Sequence, residues 1–174
     1  LRVAKESIFS GLNNPEVATI LSNRFSSYFG LSDNEVEEML KYYEIEFEMD
    51  DVRNWYNGYI FGSNIIYNPW SIISYVDKWK EGFRAYWVNT SGNDMVKEII
   101  TRSGKGIKED LEKLIKGESI TKIVNDDVVF ADIENDSNTI WSFLLFCGYL
   151  KVVSKEMKNK RMYCDLKIPN TEVE

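Results

Sequence analysis

A chain of 174 residues, 44% hydrophobic and 14% aromatic, is long enough to bury a core as one ordinary domain or two small ones. Its 28 acidic against 21 basic residues leave a net charge of -7, so a polyanion such as DNA or an anionic membrane is repelled unless basic residues cluster locally. The chain has no histidine, which excludes Ser-His and Cys-His nucleophile activation and imidazole metal ligation, and leaves an enzyme only carboxylates, Lys or Tyr.

No apolar run approaches the roughly 20 residues that span a bilayer, and the start "LRVAKESIF" lacks the apolar core of a secretion signal. A soluble, cytoplasmic protein is expected. Cys147 and Cys164 are too few for a disulfide framework and predict reduced thiols on a helix or strand. Asn89-Thr90-Ser91 matches a glycosylation acceptor, a chance match without an export signal.

The first residue is Leu, and "LRVA" has the short apolar character of a strand already under way, so a piece of a longer protein is expected. "KESIFSGLNNPEV" is turn-rich. Ser32 then caps "DNEVEEMLKYYEI", with Glu35 at the capping-box position and Val36, Met39, Leu40 and Tyr43 on one face. "DDVRNWY" predicts a short helix that stops at Gly58, with Asn57-Gly58 as a left-handed cap. "YIFGSNIIY" predicts a hairpin turning at Gly62-Ser63-Asn64. Asn68 caps the next helix and Pro69 takes its first position, where a missing N–H costs nothing, so "PWSIISYVDKW" turns Ile72, Ile73 and Val76 inward. Helices follow at "GNDMVKEIITRS" and "IKEDLEKLIKG", then "ESITKIV" as a strand and "NTIWSFLLFCGYL" as a buried helix ending near Gly148. "LKVVSKEMKNKRMYCDLKI" closes as a strand pair turning at Lys158-Asn159-Lys160. The closing order of helices and then two strands is that of a winged-helix-like module. The boundary falls loosely between 103 and 125, and two packed subdomains are expected over 1–103 and 104–174.

Five constellations invite a chemical reading and each has a plainer one. "RSGKGIK" at 102–108 carries the Gly-Lys of a phosphate loop, but Ile stands where the motif's first Gly belongs and Gly106 where its Ser or Thr belongs, so a solvated loop leading into a helix is preferred. Asp165-x-Lys167 echoes the carboxylate and lysine of a metal-dependent nuclease, yet both residues share one strand face and read as a solvated surface. The pairs Glu37-Glu38, Asp50-Asp51 and Asp126-Asp127 read as caps and turns. Lys151, Lys155, Lys158, Lys160 and Arg161 gather at the last hairpin, but the helix before it, "NTIWSFLLFC", offers no Lys or Arg to a groove, so nucleic acid is not expected as a partner. The run from Val52 to Val76, dense in Tyr and Trp, marks a small aromatic core, an interface or a flat-ligand pocket, the core being preferred.

"KESIFSGLNN" at 5–14, "WYNGYIFG" at 55–62, "YNPWSII" at 67–73, "WVNTSGND" at 87–94, "LLFCGYLKV" at 144–152 and "LKIPNTEV" at 166–173 together resemble, in this order, the bacterial AAA-ATPase-like family. In that family a P-loop ATPase domain is often followed by a PD-(D/E)XK nuclease-like domain. The resemblance implies that the nucleotide-binding core precedes Leu1 and the nuclease-like domain follows Glu174. Its implied fold is mainly α (α+β): the last core strand, a helical AAA-type lid subdomain with a small hairpin, and a winged-helix-like subdomain. It implies ATP and Mg2+ in the parent protein and no cofactor or metal in this stretch. By analogy Arg2 is the sensor of the terminal phosphate, and Tyr67, Asn68 and Pro69 lie on the adenine side. Where the lid of related ATPases carries Gly-x-Pro, this chain has Tyr-Asn-Pro.

The expected function is therefore a noncatalytic piece of an ATPase that couples nucleotide state to a downstream nuclease-like domain. The partners implied are the upstream and downstream domains of the same chain, with a homo-oligomer as a further partner class. The rivals are a protein-interaction module using the aromatics, and nucleic-acid binding through the basic hairpin.

Overall fold

The computed structural model describes residues 18–88, 96, 101, 104–125 and 139–174. The expected opening strand, Arg2, the Asn89 acceptor and Asp126-Asp127 lie outside the described residues. So does the helix over 92–103, apart from Val96 and Thr101, which are helical.

Helix α1 (Asp33–Tyr42) starts where its cap demands. The Glu35 amide donates to Ser32 Oγ at 3.4 Å and the Ser32 amide donates to Glu35 Oε2 at 2.7 Å, which closes the capping box. Val36 and Leu40 are buried, but Tyr43 is 58% exposed. It stands one residue past the helix, so the 3.6-residue period no longer governs where it points. Helix α2 (Met49–Tyr56) buries Val52 and Tyr56. The expected left-handed cap is corrected: Asn57 is extended, and Gly58 has φ 109° for a tertiary reason. A Cβ at Gly58 would lie 2.3 Å from the Pro169 carbonyl oxygen.

Strands β1 (Tyr59–Phe61) and β2 (Asn64–Ile66) pair antiparallel with Phe61 opposite Asn64, which leaves Gly62-Ser63 as a two-residue turn. Gly62 supplies the positive φ of 58° that such a turn needs at its first central position. Helix α3 (Pro69–Asp77) follows with Asn68 Oδ1 accepting from the Trp70 amide at 3.0 Å. Its buried side is Ser71, Ile72 and Tyr75. Ile73, expected inward, is 56% exposed, because one step past Ile72 turns the helix by about 100°.

Helix α4 (Lys105–Ile115), strand β3 (Ile120–Val124) and helix α5 (Thr139–Phe146) lead into β4 (Lys151–Lys158) and β5 (Arg161–Lys167). The β4–β5 turn has positive φ at both Asn159 and Lys160, 49° and 61°. The three strands form one antiparallel sheet in the order β3-β5-β4, with Leu166 opposite both Ile120 and Val152.

The expected mainly α architecture, a helical lid followed by a winged-helix-like subdomain, is overturned. Among the described residues five strands in two antiparallel sheets accompany five α-helices, which makes the fold α+β. The terminal hairpin is not a free wing: β3 pairs along Met162–Leu166 of β5. The helix before it buries six of its eight residues, Ile140–Leu145, and so presents no reading face. A segment with mean hydropathy that high spends its whole circumference on the core.

Two cores result. One joins Val36, Leu40, Val52, Tyr56, Ile72 and Tyr75 from α1–α3 with Tyr67 from the junction of β2 and α3. The other joins Leu114, Ile120, Trp141, Leu145, Cys164 and Leu166, with Leu21 and Val96 from earlier in the chain. Among the described residues no helix is long and apolar enough to cross a membrane.

Candidate functional site

Where the two cores meet, the C-terminal segment runs across the seam like a strap. The Thr171 amide donates to the Asn54 carbonyl at 3.1 Å and the Glu172 amide to the Trp55 carbonyl at 3.2 Å, continuing the end of α2. The Glu172 side chain is buried. Its carboxylate accepts from Ser71 Oγ at 2.7 Å, from the Tyr86 amide at 2.8 Å and from the Trp87 amide at 2.7 Å. Three donors replace the water that this carboxylate gives up, which is what makes its burial tolerable. Lys151, at the start of β4, donates to the Pro169 carbonyl at 3.1 Å. Burial, with the charge of Lys167 opposite, holds its ammonium below the usual lysine range.

Beside the strap lies a cleft of about 270 Å3. Its apolar walls are Leu145, Phe146 and Leu150 of the sheet core and Ile66 of the β1–β2 hairpin, with Tyr67 of the helical core, and its aromatic lining adds Tyr59 and Trp87. Gly148 lies beside both rings, and its φ of 89° is what calls for glycine: a Cβ there would sit at ordinary contact distance, 3.4 Å from Trp87 Cη2 and 3.7 Å from Tyr59 Cε1. Tyr59 is only 8% exposed, and its hydroxyl is buried with no hydrogen-bond partner among the described residues. The side chains of Asn68 and Asn170 lie close enough to perturb it, but neither completes a bond, and both polar atoms of the Asn170 amide are likewise buried and unpartnered. Burial pushes the Tyr59 phenol above its usual range, and the Glu172 carboxylate adds to that.

Of the residues expected on the adenine side, Tyr67, Asn68 and Pro69 all line this cleft. Their side-chain oxygens are already engaged. The Tyr67 hydroxyl donates to Asp33 Oδ1 at 2.7 Å, Asn68 Oδ1 caps α3, and Pro69 has no N–H. They offer the cleft a wall, not a set of directed hydrogen bonds. Arg2 lies outside the described residues. Sequence reasoning placed Lys151 only in the basic hairpin and missed Tyr59, Asn170 and Glu172. Tyr59 and Lys151 fall inside the quoted "WYNGYIFG" and "LLFCGYLKV", and Asn170 and Glu172 inside "LKIPNTEV", yet no local pattern says that these segments meet.

Two of the other constellations are bonded within the described structure. Asp165 accepts from Thr121 Oγ1 at 2.5 Å and from Ser154 Oγ, a hydroxyl ladder across all three strands that holds its carboxyl below the usual range. Among the described residues no group of three or more His, Cys, Asp or Glu could hold a metal ion. In the terminal hairpin, Lys155 donates to the Leu21 carbonyl and Lys158 pairs with Glu156 at 2.7 Å, so neither ammonium is uncommitted. Cys147 and Cys164 are free thiols, both pushed up to about 11 by burial.

No protein-family model matches the chain, and no solved structure matches it. The chain is similar to a protein of Azotobacter chroococcum mcd 1 described as "Uncharacterized protein in vnfD 5'region", with 23% identity over 172 residues. The match takes in 99% of this chain and spans 31% of that relative's length.

Proposed function

We propose that this chain is a noncatalytic coupling segment of a nucleotide-dependent protein of the P-loop ATPase kind that its six motifs resemble. It passes the nucleotide state of a neighbouring core to a downstream nuclease-like domain. The observation that supports the reading is the Glu172 strap. One buried carboxylate binds α3 and the Tyr86-Trp87 backbone at once, while its own amide extends α2. A displacement of the helical half therefore reaches the C-terminal segment without passing through a flexible linker, because breaking any one of these bonds strands a buried polar group.

Among the described residues no source of strong phosphate binding is present. Backbone amides of a Gly-rich loop, its Lys and a Mg2+ supply most of the phosphate affinity in P-loop proteins. Stacking of one base contributes on the order of 1 to 3 kcal/mol, less than the roughly 4 kcal/mol of millimolar binding. The 174 residues alone are expected to turn over no ATP and to bind it no more tightly than about millimolar. In the parent protein ATP is expected to change the hydrogen exchange of the Thr171 and Glu172 amides. Micromolar ATP affinity of the isolated chain, or exchange at those amides that ignores ATP in the parent, overturns the reading.

A second reading, protein interaction through the aromatics, is favoured by Trp70, which is 56% exposed on the first turn of α3. Trp55 does not favour it, since its ring stacks on Phe83 at 5.7 Å within the core. Loss of a pulled-down partner on Trp70→Ala, with the fold intact, supports that reading; unchanged capture removes it.

A further inference from the structure

The strap uses one N–H of the Lys151 ammonium and leaves that group without an anionic partner. Lys151 opens β4, is half-buried, and donates to the Pro169 carbonyl at 3.1 Å. An ammonium carries three N–H donors, so two remain. Among the described residues no carboxylate pairs with it. Its cross-strand neighbour in the register is a second cation, Lys167. A half-buried ammonium beside a like charge is a costly arrangement, and a bound anion relieves it.

The surroundings of Lys151 define the rest of the ligand. Among the described residues that line the seam cleft, Lys151 is the only charged one. The wall around it is apolar or aromatic, with Ile66, Phe146 and Leu150 beside the rings of Tyr59 and Trp87. Tyr59 contributes its ring and not its hydroxyl, which is buried. The Glu172 carboxylate of the strap is not in that wall, and its charge is met by Ser71 and by the Tyr86 and Trp87 amides. Lys151 also lines a second cavity, together with Lys167, Glu118 and Glu174. That cavity mixes charges of both signs and singles out no ligand, whereas the seam cleft sets one cation against an apolar body. At about 270 Å3 the cleft falls just below the roughly 300 to 1,000 Å3 of pockets that enclose drug-sized ligands, which limits that body to one ring.

We infer that the seam cleft binds a small hydrophobic monocarboxylate carrying one ring, with the ring between the apolar walls and the carboxylate on the Lys151 ammonium. Charge-assisted hydrogen bonds from the two remaining N–H groups fix its orientation. The inference goes beyond the coupling reading and does not rest on it, since it concerns the cleft and not the strap, and its probes carry no phosphate.

The test is an NMR shift titration of the 174-residue chain at fixed pH and ionic strength. The probes are phenylacetate, its neutral isostere phenylacetamide, and acetate, which has the charge without the ring. Phenylacetate is expected to shift the Trp87 indole and Gly148 amide signals with a Kd of about 1 mM, as suits so small a ligand. Phenylacetamide is expected to bind at least about fivefold more weakly, because it replaces a charge-assisted hydrogen bond by a neutral one. Acetate at the same concentrations is expected to leave both signals in place. Lys151→Met keeps the stem and removes one of two neighbouring cations; it is expected to fold and to bind phenylacetate no better than the parent binds phenylacetamide. The inference is overturned if phenylacetate gives no cleft shifts, if phenylacetamide binds equally well, if acetate shifts the cleft signals, or if a folded Lys151→Met binds phenylacetate undiminished. If Lys151→Met does not fold, the preference of the parent for phenylacetate over phenylacetamide decides: about fivefold or more upholds the inference and less overturns it.

Discussion

The two cores of this chain are built from different chemistry, and the contrast shows what each is for. The helical half is closed by tyrosines whose hydroxyls have addresses. Tyr56 Oη donates to the Arg84 carbonyl at 3.0 Å and accepts from the Arg84 amide at 3.1 Å, while Tyr67 reaches Asp33. Around them the Tyr75 and Phe83 rings stack at 5.0 Å. The sheet half is closed by aliphatic side chains and by Trp141 and Phe143, mostly through contact alone. A core with directed bonds holds one arrangement and loses much when a single atom goes. A core of apolar contacts loses in proportion to the volume removed.

Two substitutions test that contrast from its large end. Trp141→Ala removes the largest fully buried side chain of the sheet half, on the all-round buried α5, together with the ring over which Lys122 lies at 5.1 Å. It is expected to cost about 3 to 5 kcal/mol, measured as a loss of urea midpoint. Tyr56→Phe changes no packing volume of consequence and removes one oxygen. It is expected to cost about 1 to 2 kcal/mol, because both the Arg84 amide and carbonyl lose their partner. If Tyr56→Phe is neutral, the hydroxyls of the helical half do not set it apart and the contrast fails.

The same contrast decides what could be read in the sequence. Signals that act within a few residues were legible: the Ser32–Glu35 box, Asn68-Pro69, the Gly62-Ser63 turn and the apolar run of α5 all lie where their residues require. Errors arose where the deciding contact is distant. Gly58 looked like a helix cap but is needed for the approach of Pro169, more than a hundred residues away. The strand β3 could be recognised, but not its pairing with β5. The candidate site suffered most. Tyr67, Asn68 and Pro69 do line the cleft, but the side-chain oxygens of Tyr67 and Asn68 are used within the fold. Tyr59 and Glu172 owe their standing to burial by segments that the sequence gives no means of bringing together.

The smallest expected effect is a pH dependence, and it belongs to the helical half. Asp33 lies in the first turn of α1 and receives Arg53 through Nε at 3.0 Å and Nη2 at 2.6 Å, besides the Tyr67 hydroxyl. The Arg53 guanidinium, aided by Tyr67, holds its carboxyl below the ordinary 3.8 despite some desolvation. A group with a depressed folded value binds its proton more readily in the unfolded chain. Its contribution to stability is therefore present above 3.8 and is lost as the pH falls through the lower folded value. Asp33→Asn keeps the size and an acceptor but cannot titrate. Urea midpoints of the parent are expected to fall between about pH 5 and about pH 2.5, and those of Asp33→Asn to fall less over the same window. Glu35, also lowered by its bonds to Ser32, keeps the variant from becoming wholly flat. Because the Asp33–Arg53 pair is partly exposed, the effect is a fraction of that of Tyr56→Phe and shrinks as salt is added. Equal acid slopes for the parent and Asp33→Asn would show that the tyrosine–carboxylate link is geometry without electrostatic weight.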